Sequence, residues 1–257
     1  MNTEILVVSY LKDKPYLHYC LRSIQKFATG FSGTTLVVPS VEASEFASMA
    51  AGFGMGMRTY ERDPNPAKWH LHAQAQKHRA DEHCPDADFI LHTDSDCVFT
   101  EPVTPDDYFV DGKPVMLFES YTRIPGSPWR NVTGQALKRP VEYEFMRRHP
   151  QVNPIGIYRP LREYIEQIHG VPFEQHVLAQ KANFPWGWTE HNVIGAFAYY
   201  SSDWNQKYTW WEVGKRPVPH EKIIQFHGPD PIDKEQLLPH NPGQKGTPLR
   251  EFQRLGL

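Results

Sequence analysis

The chain has 257 residues, of which 40% are apolar and 22% charged, and its net charge is -3. A chain of this length can bury about 75% of its unfolded surface, and this composition excludes disordered and uniformly basic nucleic-acid-binding proteins. The N-terminal apolar run is too short for a signal peptide, and no run of about 18 apolar residues could cross a bilayer. Three isolated cysteines indicate neither a disulfide framework nor a zinc ribbon. A cytoplasmic protein that associates with no membrane and needs no obligate protein partner is expected.

Strand and helix patterns alternate along the first hundred residues. Short β-rich runs predict strands at 4–10, 34–40, 57–60 and 88–93. Apolar residues at helical spacing predict helices at 15–28, 41–51 and 66–84, the second capped by Ser40 or Ser44. This alternation predicts an α/β fold with a mainly parallel sheet and helices on both faces.

Weaker signals continue the pattern beyond residue 100. They predict strands at 114–119 and 221–226, a loop at 121–134, and helices near 135–148, 159–168 and 189–201. We expect one catalytic domain over residues 1–235, with a nucleotide-binding half (1–100) and an acceptor-side half (101–235). Residues 236–257 are expected to form a loose tail.

The stretch DFILHTDSD joins an apolar strand to two carboxylates. Asp94 and Asp96 point the same way along an extended chain, with Ser95 opposite, so both can converge on one hard cation. Ligands of open α/β sheets bind beyond the carboxyl ends of the strands, where these residues lie. The alternative is an ordinary strand-end turn, in which Asp and Ser bond their own backbone.

Histidines offer further ligands for a cation. His227 follows the strand at 221–226 and could complete a Mg²⁺ or Mn²⁺ site with Asp94 and Asp96. His92 shares a face with both aspartates and provides a competing set, although it lies further back in the sheet. A surface histidine is the alternative for His227.

Two helices carry further polar candidates. The helix at 66–84 presents His70, Gln74 and Lys77 on one face, where Lys77 could reach a phosphate, unless the face is simply solvated. Glu190 follows two tryptophans at the start of the helix at 189–201, with Thr189 as N-cap. Such a carboxylate could hydrogen-bond or deprotonate an acceptor hydroxyl, or it could merely complement the helix dipole.

Four stretches in this order, ILVVSY, FILHTDSDCVF, WTEHNVIGAF and IIQFHG, resemble the GT-A fold glycosyltransferases. The resemblance spans residues 5–228 and implies a metal-dependent transferase that uses a nucleotide sugar, most simply a UDP-sugar. It places Asp94 and Asp96 on Mn²⁺ or Mg²⁺ and the diphosphate, with His227 as a further metal ligand. Glu190 would be the catalytic base or an acceptor anchor. The remaining donor-binding residues implied are Tyr10, Asp13, Asp63, Gln74, Lys77 and Arg130.

Two classes of acceptor are compatible with the sequence. Residues 121–150 carry six lysines and arginines against two glutamates, a local charge of +4. Arg123 and Arg130 interleave with Tyr121 and Trp129, as on a phosphodiester-binding surface. Some GT-A-like enzymes of phages glycosylate hydroxymethylated bases in DNA, and such an acceptor is one expectation. A small sugar or glycan is the other, and the basic segment could then bind the donor's own pyrophosphate.

Two other classes compete with the transferase. The stretch FILHTDSDCV also fits haloacid-dehalogenase-type phosphotransferases, in which Asp94 would be the nucleophile and Asp96 its acid/base partner. Asp230 and Asp233 would then be the later acidic residues, but that motif normally opens its domain, whereas a βαβ half precedes it here. A binding module without catalysis is the third class.

Overall fold

The computed structural model describes residues 1–146, 151–182, 186–215, 222–226, 231–237 and 245–257. Elements are numbered in chain order. The strands of these ranges are β1 Thr3–Val8, β2 Gly33–Pro39, β3 Gly56–Tyr60, β4 Phe89–Asp94, β5 Cys97–Phe99, β6 Phe109–Val110, β7 Lys113–Ser120, β8 Tyr143–Glu144, β9 Gln151–Pro154, β10 Thr209–Glu212, β11 Ile223–Gln225, β12 Gln236–Leu237 and β13 Lys245–Gly246. The helices are α1 Lys14–Phe27, α2 Ala43–Gly52, α3 Trp69–Lys77, α4 Ala80–His83, α5 Arg130–Ala136, α6 Tyr158–His169, α7 Phe173–Leu178, α8 Glu190–Tyr200, α9 Ser202–Asn205 and α10 Pro248–Arg254. None of these helices is both long and apolar enough to span a bilayer.

The central sheet has the strand order β3-β2-β1-β4-β9. Its first four strands are parallel, and β9 adds an antiparallel edge strand. The predicted mainly parallel α/β sheet with flanking helices is confirmed. In the β1–β4 ladder Val8 pairs with Asp94, so both strands end at the same edge of the sheet.

Each face of this sheet packs against its own hydrophobic core. Along β1, Leu6 and Val8 belong to one core, which includes residues of α3, α6 and α8, whereas Ile5 and Val7 belong to a second core with residues of α1 and α2. This explains the unbroken apolar run in β1, because a strand covered on both faces has no solvent side. The sheet is therefore a fixed platform for whatever lies at its carboxyl edge.

The later strands form smaller sheets. β7 lies between parallel β10 and antiparallel β6, and β8 pairs with its far end. β5, which follows the Asp94–Asp96 turn directly, pairs antiparallel with β11. This last pairing brings the late strand at Ile223–Gln225 back to the edge of the sheet where β4 ends.

The predicted helix at 66–84 is broken, for a local reason. It divides into α3 and α4, because the carbonyl of His78 accepts a hydrogen bond from Arg162 and the amide of Glu82 turns to the carbonyl of Arg79 instead. The side chain of His78 packs edge to face against Phe173 and Trp188.

The predicted loop at 121–134 and helix at 135–148 are wrong. The helix lies earlier, at Arg130–Ala136, and Lys138 with φ +46° ends it two residues before Pro140. Tyr143 and Glu144 then pair with β7, so this part of the chain is drawn into a sheet.

Two further predictions are corrected. The N-cap residue of α2 is Glu42 and makes no side-chain capping bond, so neither Ser40 nor Ser44 caps this helix. The presumed loose tail contains α10, whose Phe252 is fully buried and stacks on Tyr19 with ring centroids 4.2 Å apart.

Candidate functional site

The two aspartates of the DSD turn converge, as the sequence predicts. Oxygens of Asp94 and Asp96 and the sulfur of Cys97 lie within 4.8 Å of one another. Gln225 of β11 reaches both carboxylates, since its Nε2 lies 3.4 Å from Asp94 Oδ2 and 3.3 Å from Asp96 Oδ1. The β5–β11 pairing therefore holds an amide over the turn.

Lys77 connects the aspartates to the opposite side of the site. The last residue of α3, it is 7% exposed, and its ammonium donates to Asp94 Oδ1 and, at 2.5 Å, to Glu190 Oε1. Burial alone would lower the pKa of Lys77, but the attraction of the two carboxylates outweighs it and raises the pKa. Lys77 is therefore a permanent buried cation rather than part of a solvated face.

Gln74 and His70 occupy the same face of α3, one and two turns before Lys77. Their side-chain nitrogens, Nε2 of each, lie 2.7 Å apart. The amide oxygen of Gln74 is buried and has no hydrogen-bond partner among the described residues. An acceptor of this kind is available to a bound ligand, because leaving it unsatisfied costs about 1–3 kcal/mol.

Glu190 stands at the start of α8 and is 2% exposed. The predicted N-cap position of Thr189 is confirmed, although its hydroxyl contacts Met146 Sδ instead of capping the helix. Burial would raise the pKa of Glu190, but the ammonium of Lys77 outweighs burial and lowers it. Glu190 is therefore ionised at neutral pH, although it is buried.

Asp94, Glu190 and His191 form a second group whose possible ligand atoms lie within 4.8 Å of one another. His191 Nε2 is 3.4 Å from Glu190 Oε1, and its Nδ1 is 3.2 Å from Gln151 Oε1. His92, the competing ligand in the sequence, points elsewhere: its Nε2 lies 2.6 Å from the hydroxyl of Tyr158. The structure thus directs His92 into the core behind the site.

Asp13 adds a third carboxylate beside the turn. It lies at the end of the loop after β1, and the hydroxyl of Ser95 is 3.4 Å from its Oδ2. Burial raises the pKa of Asp13 to about 6. Burial, Asp94 and Asp13 together raise the pKa of Asp96 to about 8. Lys77 therefore pairs with two of the four carboxylates, Asp94 and Glu190, while the ammonium of Lys12 acts against burial on the pKa of Asp13.

The other residues expected to bind the nucleotide lie on two loops. Tyr10 is half-buried, and burial, followed by the charges of Asp13 and Asp96, raises the pKa of its hydroxyl to about 12. Asp63 instead holds a turn, in which its Oδ1 accepts from the amide of Asn65 at 2.8 Å. Nearby, the guanidinium of Arg62 lies 3.7 Å from the centre of the Trp69 ring.

The cations of the basic segment are engaged in internal contacts. Arg123 pairs with Glu212 at 3.2 Å and with Glu119 at 3.8 Å. Arg130 donates its Nε to the carbonyl of Val141 at 3.1 Å and is exposed. Its guanidinium also lies 5.6 Å from the centre of the Tyr121 ring. The donor-binding role of Arg130 remains a prediction.

Lys138 and Arg139 are held in the same way. Lys138 donates to the carbonyl of Ile168, and Arg139 stacks on Tyr200, 4.0 Å from the ring centre. Arg147 and Arg148 lie outside the described residues. The four basic side chains that the structure describes are exposed, and each is held in position by a contact within the fold.

His227 and Asp230 lie outside the described residues, so the metal role predicted for His227 and the phosphotransferase role of Asp230 remain predictions. Gln225 and His191 are site residues that the sequence reasoning missed. One signal was present for Gln225: it lies two positions before His227, and alternate residues of a strand share a face.

A comparison with known structures identifies the fold. The structure is similar to that of the galactosyltransferase LgtC in complex with donor and acceptor sugar analogs, with a TM-score of 0.58 and 13% identity over 98% of this chain and 94% of that chain. No protein-family model matches the sequence, and no curated protein matches it either. At this identity the likeness shows the fold alone, and it confirms the expected GT-A-like α/β fold.

Proposed function

We propose that the protein is a metal-dependent glycosyltransferase, which transfers a sugar from a nucleotide sugar, most simply a UDP-sugar, to an acceptor hydroxyl. The observation that carries this proposal is the convergence of Asp94 and Asp96 at the carboxyl edge of the sheet, in a fold similar to that of a galactosyltransferase. The same likeness favours the transferase over the phosphotransferase, whose motif normally opens its domain.

The donor set suits a hard divalent cation. Asp94 and Asp96 would hold Mn²⁺ or Mg²⁺, both of which prefer carboxylate oxygens. The raised pKa of Asp96 supports this, because burial and then repulsion from Asp94 and Asp13 disfavour its charged form, and a bound cation would offset both. When bound, such an ion would neutralise charge on the diphosphate leaving group. His227 stays a candidate ligand.

Lys77 supplies the positive charge that the chain itself carries. Its ammonium fixes one oxygen of Asp94 and one of Glu190, so the two carboxylates keep a defined separation while a donor binds. We assign it, with Gln74, to the side of the site that faces the donor. A buried cation with two fixed partners is pre-organised and needs little reorganisation during the reaction.

For Glu190, the geometry favours the anchoring role over that of catalytic base. Oxygens of Glu190 and Asp94 lie within 4.8 Å of one another. In glycosidases, two carboxylates that work on opposite faces of an anomeric carbon are about 5–9.5 Å apart. Glu190 is closer to Asp94 than this range, and its lowered pKa makes it a weak base. It would hydrogen-bond a sugar hydroxyl instead.

Tyr10 and Asp13 are the residues that we assign to the nucleotide. Both follow β1, and both sense the charge of Asp96 or Asp94. A nucleotide held there would have its diphosphate beside the DSD turn. Asp63, whose carboxylate holds a turn, is a weaker candidate for contact with the ribose.

Thermal unfolding with Mn²⁺ and each of UDP, GDP, CDP and TDP tests the proposal. A nucleotide at 100 times its dissociation constant adds about 2.7 kcal/mol, or roughly 5–11 °C for a chain of this size. We expect a shift for one nucleotide that requires Mn²⁺ and is lost in Asp96→Asn. Asp203→Asn, which makes the same change at an exposed carboxylate, is the matched control. If no nucleotide shifts the midpoint, the proposal is wrong, and phosphatase turnover is the next measurement.

A further inference from the structure

Trp186 has an unusual environment for a large aromatic side chain. It is 54% exposed, whereas every other tryptophan, tyrosine and phenylalanine of the described residues is buried or half-buried. The neighbouring aromatic Trp188 is 2% exposed. Exposing an indole to water forgoes the free energy that its burial would contribute, so a ring that stays outside the core is a candidate contact surface.

The ring of Trp186 is held in place from one side. A Cβ atom added at Gly126 would lie 3.2 Å from its Cη2, so the ring sits directly on the backbone of that residue. Gly126 has φ +74°, and its neighbour Ser127 has φ +46°, so this loop has a defined, tightly turned shape. A supported ring loses little freedom when a ligand packs on its open face.

Trp186 is also close to the site along the chain. Glu190 is four positions further along the chain, so the two Cα atoms are at most about 14 Å apart. Glu190 in turn is bound to Lys77 and lies beside Asp94. An oligosaccharide whose terminal hydroxyl reaches the site could extend over the ring of Trp186.

Charge decides which class of acceptor suits this surface. Arg123, in the same loop region as Gly126, is paired with Glu119 and Glu212, and Lys215 also pairs with Glu212, so these four charges cancel and offer no excess positive charge to a phosphate backbone. A neutral sugar does not require such a charge. The face of a pyranose ring carries C–H groups that pack on the negatively polarised face of an indole.

We infer that Trp186 is an acceptor-side platform, on which a neutral saccharide of two or more units stacks while its terminal unit reaches the site beside Glu190. This inference rests on the proposed glycosyl transfer and adds the class of acceptor. It selects the saccharide over hydroxymethylated DNA.

The test compares Trp186→Ala and Trp186→Phe with wild type and with Val41→Ala, which trims another exposed apolar side chain. The donor is the nucleotide sugar whose nucleotide stabilises the protein. Acceptor probes are lactose, maltotriose, cellotriose, N-acetylchitotriose and a hydroxymethylcytosine-containing DNA duplex. Two rates are measured: transfer to each acceptor, and hydrolysis of the donor without an acceptor.

We expect transfer to at least one saccharide, with the KM for that saccharide raised about 10-fold or more in Trp186→Ala. Trp186→Phe should recover much of the loss, and Val41→Ala should match wild type. Hydrolysis of the donor should be equal in all four proteins. Transfer to DNA alone, donor hydrolysis without transfer to any saccharide, or an unchanged KM in Trp186→Ala would each overturn the inference. Absence of both donor binding and hydrolysis in wild type would instead refute the proposed glycosyl transfer.

Discussion

Charged side chains are arranged in opposite ways in two regions of the molecule. At the carboxyl edge of the sheet, Asp13, Asp94, Asp96 and Glu190 form a cluster of carboxyl groups, and the ammonium of Lys77 pairs with two of them, Asp94 and Glu190. In the basic segment, the four described cations are each matched by a carboxylate, a carbonyl or an aromatic ring.

This difference shows where ligands are to be sought. In the basic segment, Arg123 is balanced by carboxylates, and the other three cations keep their charge but are held in place by carbonyl or ring contacts. A cluster of buried carboxyl groups is costly, and such clusters often mark functional sites. Counting charged residues in the sequence favours the +4 segment as the binding region instead. The sequence does not show that its basic side chains already contact other groups of the fold.

The largest expected effect is on the rate of glycosyl transfer and comes from replacing either aspartate of the DSD turn. Asp94→Asn or Asp96→Asn should lower kcat/KM for glycosyl transfer by about 1,000-fold, equivalent to about 4 kcal/mol, because the diphosphate would lose its metal. Steady-state kinetics at saturating Mn²⁺ measure this. Asp203→Asn should retain the wild-type rate. Near-normal turnover of both variants at every Mn²⁺ concentration would show that these carboxylates hold no catalytic metal.

Removing the ammonium of Lys77 should lower the free energy of unfolding by a similar amount of energy. Lys77→Met leaves Asp94 and Glu190 buried without their ammonium, which we expect to cost about 3–5 kcal/mol of unfolding free energy. Urea unfolding monitored by circular dichroism measures the loss. Adding Glu190→Gln to Lys77→Met should recover part of it, because one unpaired charge is then gone.

That recovery separates charge from packing. If the double variant is as unstable as Lys77→Met, the loss stems from altered packing around the shorter Met side chain, and Lys77 is not an electrostatic partner of Glu190. A Lys77→Met variant that unfolds like wild type would contradict the comparison directly, since Asp94 and Glu190 would then need no paired cation.

The fold was predictable where the hydrophobic pattern is strong. Strands β1, β2 and β4 contain continuous apolar runs because both of their faces are covered. Such runs can be predicted as strands without knowing which elements pack against them. The break after α3 depends on Arg162, a residue 84 positions away that binds the carbonyl of His78. Contacts of that kind leave no local signal.

The candidate site was predictable only in part, for a similar reason. Asp94 and Asp96 follow from alternation along one strand. That Lys77 joins Asp94 to Glu190 depends on packing between α3, β4 and α8, which a helical face cannot reveal. Asp63 has a carboxylate that could contact a ribose, but in the structure this carboxylate accepts a hydrogen bond from the amide of Asn65 in a local turn.

A smaller effect follows from the pKa of Asp96. Because that pKa is about 8 in the folded protein, against about 3.9 in an unfolded chain, the folded state binds more protons in between, and its stability falls as pH rises. Asp13 acts in the same direction but only up to about pH 6. Burial lowers the pKa of His78 to about 3 and of His83 to about 4. These two groups therefore make the folded state more stable as pH rises, but only up to about pH 6.5, the pKa of histidine in an unfolded chain.

Between pH 6.5 and 8, Asp96 should therefore dominate. The metal-free protein should lose at most about 2 kcal/mol of unfolding free energy over this interval. Urea unfolding in chelator-treated buffer, repeated for Asp96→Asn, measures the slope, and we expect the variant to lack it. An equal slope in both proteins would mean that another group is responsible.

The smallest expected effect concerns the matched region. Arg123→Ala should change the unfolding free energy by less than about 1 kcal/mol, because its ion pairs with Glu119 and Glu212 are partly exposed. The variant should also leave unchanged any weak binding of a DNA duplex, measured by fluorescence anisotropy over a range of salt concentrations.

An arginine that contacts phosphate would behave differently, since its removal would reduce the slope of log K against log salt by about 1. If Arg123→Ala shows that reduction, this side chain exchanges its carboxylates for phosphates when DNA is present. Internal pairing would then no longer distinguish a structural cation from a binding one, and the DNA acceptor would regain its support.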